Sequence, residues 1–355
     1  MKPEFTVIRI NAKTSFERGV QYGRQAKQQI QNGAENYLSF FESTGKSRDL
    51  VHSLAMQYVP QLEESMPEVL EEAKGIAAGA EISFEDLMVL NTRYELTNYP
   101  NKAPECTTAA VLPEAARDGK TYMIKNWDYK PAVFKNIVLL HILQEDGTRI
   151  FGLTEAGQML REGFNSNGIG LCNNYIESIW DGPGVGIPVT FLRRRVLASK
   201  TYDEAFGWLT GIKRCVSNNM LLVSYKDRQA IDIEACPKGC DFIKPKAGIV
   251  THANHIVVDP DKDRNDTWAR MPKFRDTRLA DLLYHNWGSI DVPYIQEIMK
   301  DHEHFPLSIC CHSNNGMEDM RGLMTVASMI VDFEENAAYV CAGNPCEGEY
   351  QKYVI

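Results

Sequence analysis

Apolar residues recur with a period of about 3.6 over residues 15–43, where Phe16, Val20, Ala26, Ile30, Tyr37 and Phe41 stand among Arg, Lys and Gln. That period predicts a helix. A second helical stretch covers about 49–78. Within it, Ser65-Met66-Pro67-Glu68 sets a capping serine ahead of a first-turn proline and a glutamate, so a new helix starts there. Gly75 and Gly79 are expected to loosen its end. Ser83-Phe84-Glu85-Asp86 repeats the capping pattern before Leu87, Val89 and Leu90. The first hundred residues therefore read as helices with short joints, and the Asn- and Pro-rich run 98–104 breaks this mode.

From residue 106 the pattern changes to short β-branched and aromatic runs, at 107–112, 121–126, 137–143, 149–153 and 169–173. These predict strands, joined by turns such as Arg117-Asp118-Gly119-Lys120 and Glu145-Asp146-Gly147. A helical return is expected over 188–209, strands over 220–224, 230–235 and 248–252, and a helix pair over 271–284 and 292–300. A final hairpin, 324–333 with 337–342, closes around Glu334-Glu335-Asn336. Strand runs between paired helices predict an α+β architecture rather than a doubly wound sheet.

The 355 residues are 44% hydrophobic and 24% charged, enough apolar material for a large core. The net charge of -9, spread along the chain, offers no basic stripe to neutralise a phosphate backbone, so nucleic acid is not an expected partner. No stretch reaches eighteen apolar residues, and residues 1–10 lack the apolar run of a secretory signal. Residues 351–355 match neither a peroxisomal nor a reticulum-retention signal, and the expected location is the cytoplasm, away from membranes. Nine cysteines without a repeated ligand spacing fit free thiols in a reducing compartment.

Cys106 stands where the Asn- and Pro-rich loop meets the first strand, which would present its thiol at a strand start. A cysteine there can also be no more than a small buried hydrophobe. What singles it out is the order of three motifs: Cys106-Thr107-Thr108, Lys125-Asn126-Trp127-Asp128-Tyr129 and Thr251-His252-Ala253-Asn254-His255. Together they resemble the isopenicillin N acyltransferase family of N-terminal-nucleophile enzymes. Further matches are Arg18-Gly19 with Tyr22-Gly23, Glu72 with Gly75-Ile76-Ala77, Asn91 with Glu95, Asn165-Ser166-Asn167-Gly168, Thr325-Val326-Ala327-Ser328 and Gly343-Asn344-Pro345. The resemblance spans almost the whole chain.

It implies a four-layer αββα sandwich and a precursor that cuts itself before the nucleophile, here at Glu105-Cys106. Residues 1–105 would form a helical small chain packed into the same fold, and 106–355 a large chain carrying the nucleophile and the sheet core. By residue count these are about 12 and 28 kDa. A thiolate attacks far better than a thiol and needs a nearby base. The new α-amino group of Cys106, with an ordinary pKa of about 7.7–8.0, would serve. By the same resemblance Asp128 would orient that amine, and the Asn254 amide would donate to the oxyanion, a contact typically worth about 3–4 kcal/mol of barrier. Asn173, Asn174 and Arg321 are substrate-binding candidates. The expected partner is a small N-acyl amine, amino acid or short peptide. No cofactor or metal is implied, and a coenzyme A thioester stands as a candidate co-substrate.

His252 and His255 form an i, i+3 pair without a third ligand and read as structural. Cys236 and Cys240 read as a turn, and Cys310-Cys311 as buried and inert. Where the fungal penicillin enzymes of the family carry glycine before the nucleophile, this chain has the bulkier, charged Glu105. That departure motivates an alternative, an uncleaved inactive relative acting as a binding protein. A papain-like Cys-His protease is disfavoured, since its nucleophile would sit at a helix amino terminus.

Overall fold

The computed structural model describes residues 3–96, 106–264, 270–312 and 322–355. A first strand, β1 (Thr6–Ile10), leads into α1 (Ser15–Gln25), α2 (Lys27–Ser43), α3 (Arg48–Met56), α4 (Val59–Ser65), α5 (Pro67–Ala80) and α6 (Phe84–Leu96). Strands β2 (Cys106–Val111), β3 (Tyr122–Tyr129), β4 (Ile137–Leu143), β5 (Arg149–Glu155), β6 (Glu162–Asn165) and β7 (Ile169–Asn174) follow. Helices α7 (Val189–Val196) and α8 (Tyr202–Gly211) precede β8 (Asn218–Ser224), β9 (Gln229–Cys236), β10 (Gly239–Ile243) and β11 (Ile249–His252). The chain ends with α9 (Arg270–His285), α10 (Val292–Ile298), β12 (Met324–Asp332), β13 (Ala337–Ala342) and β14 (Tyr350–Val354).

The strands form an eight-stranded sheet, ordered β1-β4-β5-β6-β7-β8-β9-β10, and a six-stranded sheet, ordered β11-β2-β3-β12-β13-β14. Alternation along the strands stacks them into layers, because successive side chains leave opposite faces. On β4, Val138, Leu140 and Ile142 pack against the helices α1–α8, while Ile137 and Leu139 join the core between the sheets. In β2, Cys106 and Ala110 face that inter-sheet core, whereas Ala109 and Val111 face the layer holding Leu279, Leu283, Ile295 and Ile298 of α9 and α10. Helix, sheet, sheet and helix are thus separated by three apolar cores, the expected αββα sandwich. Among the described residues no helix is long and apolar enough to cross a membrane.

Several expected elements divide. The helix expected over 15–43 breaks at Ala26 (φ -108°, ψ 19°), and the one over 188–209 breaks where Thr201 caps α8 by accepting from the Glu204 amide. The stretch over 49–78 becomes α3, α4 and α5, with Pro67 opening α5. Strands β1, β6, β10 and β14 were not foreseen. They are short, and each is stabilised by pairing with a distant or hairpin neighbour rather than by its own pattern, as β1 is by parallel pairing with β4.

Gly75 and Gly79 do not loosen α5, which continues to Ala80. They let it lie against α1. A Cβ on Gly75 would stand 2.0 Å from the Phe16 carbonyl oxygen, and one on Gly79 2.4 Å from that of Val20. The facing glycines are equally constrained: a Cβ on Gly19 would stand 2.0 Å from the Glu72 oxygen, and one on Gly23 2.3 Å from that of Ile76. Only glycine permits backbone contact of this kind on both helices. In the middle of an exposed helix Gly→Ala gains about 1 kcal/mol. Here the clash is with backbone, which cannot swing aside, and overpacking of about 3 kcal/mol should exceed that gain. Gly75→Ala is accordingly expected to lower the melting temperature, whereas Gly207→Ala, which meets open space in α8, should not; thermal unfolding of the two variants side by side checks this.

Candidate active site

The nucleophile candidate opens β2. Antiparallel pairing of β11 with β2 sets His252 opposite Thr108, so the chain two residues beyond His252 arrives level with Cys106. There Asn254 Oδ1 accepts the Cys106 backbone N–H. Arg275 of α9 enters from the outer helical layer. Its Nη1 donates to the Cys106 carbonyl (2.7 Å) and to Thr107 Oγ1 (2.8 Å), and its Nη2 to Asn254 Oδ1 (3.2 Å). Two donors therefore face Oδ1, while Nδ2 donates to the Tyr175 carbonyl at 2.8 Å. This network fixes the amide orientation. Asn254 thus accepts from the Cys106 N–H while its own N–H is given to the Tyr175 carbonyl.

Asp128 is fully buried, on β3. In β3, Tyr122 and Ile124 pack toward α9 and α10, whereas Met123 and Trp127 face the inter-sheet core. Asp128 shares the outer face with Asn126, whose Nδ2 donates to the Met299 and Ile309 carbonyls. Its described partners are Thr325 Oγ1, donating at 2.6 Å, and Arg275 Nη1 at 3.5 Å. Asp128 thus bears on Cys106 through Arg275, which touches both.

The Cys106 sulfur faces the space between the sheets, where sequence reasoning had placed no charge. Arg161 Nη2 lies 3.9 Å from it. The same guanidinium stacks over Trp127, 4.3 Å from the ring centroid, and donates to Tyr94 Oη at 3.0 Å. Burial pushes the Tyr94 phenol up, but Arg161, Arg193 and Arg93 outweigh it and hold the group below its ordinary value. Lys125, opposite Thr108 and so two register positions from Cys106 on the paired strand, is 3.3 Å from Glu162 and donates to the Asn173 carbonyl. Cys172 shares this space, yet burial and Glu162 raise its thiol well above the ordinary range. Lys125 lies inside a motif already singled out. Arg161 and Arg275 belong to no recurring pattern, and only the pairing of distant strands and helices brings them to Cys106, the first at its sulfur and the second at its carbonyl.

Asn174 Nδ2 donates to Thr108 Oγ1 and to Asn219 Oδ1, both at 2.8 Å, so it lies beside β2. Asn173 is buried next to it and contributes its carbonyl to Lys125. Arg321 and Glu105 lie outside the described residues. His252 serves structure: Nδ1 meets the Ala253 carbonyl at 2.6 Å and Nε2 meets Glu234 Oε1 at 2.9 Å. Burial disfavours its charge, but Asp232 and Glu234 outweigh that and raise it to about 9. His255 is held down, to about 3, by burial and by His252. Cys236 and Cys240 flank the β9–β10 turn as expected.

Two outcomes follow from this geometry. Replacing Arg275 with methionine leaves Asp128 buried beside a missing cation, and a broken buried pair costs about 3–5 kcal/mol. Adding Asp128→Asn should then cost less than the two changes summed, measured by thermal or urea unfolding. The folded state holds the His252 proton to about pH 9 against an ordinary 6.5, so its contribution is complete below pH 6.5 and disappears as pH rises through about 9. The raised Asp232, at about 6, titrates below that window. Melting temperature should fall across pH 6.5–9, and this descent should be shallower in His252→Gln.

The family model described as acyl-coenzyme A:6-aminopenicillanic acid acyl-transferase matches residues 115–347. The acyl-coenzyme A:6-aminopenicillanic-acid-acyltransferase 40 kDa form of Emericella nidulans is 26% identical over 342 residues, covering 94% of this chain and 91% of that one. Among solved structures, the Caenorhabditis elegans ortholog of N-acylethanolamine-hydrolyzing acid amidase aligns at 16% identity and TM-score 0.47, over 64% of this chain and 93% of that one. A variant of the conjugated bile acid hydrolase from Clostridium perfringens aligns at 13% identity and TM-score 0.47, over 70% and 97%. With the family model matched over most of its length, the chain belongs to the acyl-coenzyme A:6-aminopenicillanic acid acyl-transferase family.

Proposed function

We propose that the protein is a self-activating cysteine acyltransferase or amidohydrolase that forms a Cys106 thioester with the acyl group of a small N-acyl amine, amino acid or short peptide. The observation that carries this reading is the joint placement of the Cys106 sulfur beside the Arg161 guanidinium and of its backbone nitrogen on Asn254.

In the first act, the Cys106 sulfur attacks the Glu105 carbonyl carbon. The C–N bond breaks, the proton passes from sulfur to nitrogen, and water resolves the resulting thioester. A Glu105 carboxylate and a free Cys106 α-amine remain, on chains 1–105 and 106–355. In the second act the α-amine takes the thiol proton, the thiolate attacks the substrate acyl carbon, and the departing amine leaves with that proton. Water then gives hydrolysis and a second amine gives transfer. Arg161 would stabilise the thiolate, and Asn254 would keep the α-amine in place throughout. The name of the Emericella relative supports coenzyme A thioesters as acyl donors worth testing alongside amides.

Mass spectrometry of the purified protein should show fragments of about 12 and 28 kDa, the larger with Cys106 as its first residue. Cys106→Ala should remain one 40.1 kDa chain and lose turnover on a panel of N-acyl amines and acyl-coenzyme A donors by more than about 10³-fold. Full turnover in Cys106→Ala would sink the reading. An intact wild-type chain with a thiol inert to iodoacetamide would favour the uncleaved binding relative.

A further inference from the structure

Away from Cys106, four side chains converge where the segment after α10 meets the turn between β13 and β14. His302, Cys310 and His312 come from the first and Cys346 from the second, and one ligand atom from each lies within 4.8 Å of all the others. The separations are 3.6 Å between the two sulfurs, 3.5 and 3.3 Å from His312 Nε2 to Cys310 and Cys346, and 3.1 Å between the Nε2 atoms of His302 and His312. A tetrahedral zinc with ordinary bonds to sulfur and nitrogen has edges of about 3.8 Å between sulfurs, 3.6 Å between sulfur and nitrogen and 3.3 Å between nitrogens. The sulfurs are much too far apart for a disulfide, whose bond is about 2.05 Å.

We infer that His302, Cys310, His312 and Cys346 form a Cys2His2 site for a zinc ion. Two thiolates with two imidazoles select zinc among common divalent metals, and four protein ligands close the sphere, which marks a structural rather than a catalytic centre. Each bound ion displaces the protons of both thiols. The surroundings suit such a site: Asn344 Nδ2 donates to Cys310 Sγ at 3.4 Å, and His312 turns its other nitrogen, Nδ1, toward Glu347 at 3.9 Å. Supporting contacts of this kind orient ligands in metal centres. The ion would pin the segment that reaches the active centre, for the Cys311 N–H donates to Thr325 Oγ1 at 2.9 Å and Thr325 in turn donates to Asp128. The expectation that Cys310 is buried and inert therefore holds for its burial and is replaced as to its role.

The test uses full-length protein purified under reducing conditions. Elemental analysis should find one zinc per chain, resistant to a weak chelator. Cobalt(II) in its place should give the intense visible bands of a tetrahedral ion and a near-ultraviolet thiolate charge-transfer band. Cys346→Ser and His302→Ala, both at the periphery, should weaken zinc binding by more than about tenfold, while Cys106→Ala should retain it. Zinc removal should lower the melting temperature of the wild type and leave Cys346→Ser unchanged. Reduced protein that takes up no zinc, or zinc that persists in both peripheral variants, or zinc lost with Cys106→Ala, would overturn the assignment.

Discussion

The candidate centre is organised by one buried guanidinium. Arg275 has no exposure to solvent, and a cation in such a place must be neutralised and its donors satisfied. Asp128 supplies the charge, while the Cys106 carbonyl, Thr107 and Asn254 supply acceptors. A buried pair of this kind is weak evidence for net stability, since desolvation opposes its attraction. Its consequence is positional. Because Arg275 comes from α9, Asp128 from β3, Cys106 from β2 and Asn254 from the loop after β11, the contacts of the guanidinium tie four separate parts of the chain together. Cys106 is held in that junction by its carbonyl.

The inter-sheet side of the same strand explains why one buried cysteine stands apart from the other eight. Burial alone raises a thiol, as it does for Cys172, Cys215 and Cys310. Cys172 faces the same space but has the Glu162 carboxylate as its principal charge. Cys106 has the Arg161 guanidinium against its sulfur. Lys125 and Arg161 both lean on Glu162, at 3.3 and 3.9 Å, so two cations share one carboxylate near Cys106.

Legibility from the sequence divides along the range of the interactions involved. Local signals served well at the strand start at Cys106, the proline start of α5 at Pro67 and the β12–β13 hairpin, which each depend on neighbours in the chain, whereas the serine expected to cap α5, Ser65, ends α4 and Met66 takes the cap position without a side-chain bond. Glycine in α5 was misread, because an isolated helix shows only its conformational cost and conceals the helix it must touch. Much of the family motif proves architectural. Asn91 holds the Gly157 carbonyl and the Met159 amide, and Asn165 ties its hairpin to the end of α7 through the Leu197 carbonyl. Arg161 and Arg275 carry no mark in the sequence, since their partners are distant in the chain. The His302-Cys310-His312-Cys346 cluster was hidden for the same reason: its last member arrives from a different layer of the fold.

The placement of Asn254 bears on why activation by self-cleavage would need little rearrangement. Before cleavage the Cys106 nitrogen belongs to a peptide bond, where its lone pair is delocalised into the Glu105 carbonyl and cannot accept a proton. Its one hydrogen is directed at Asn254 Oδ1. After cleavage the same atom is an amine, still able to donate to the same oxygen, and it gains a basic lone pair with an ordinary pKa of about 7.7–8.0. The anchor survives the change while the chemistry at the nitrogen is reversed. On the proposed reading, then, the precursor is inactive because it lacks a base rather than because it lacks a formed site, and the acceptor on Asn254, rather than a donor, is the feature that lets one geometry serve both states.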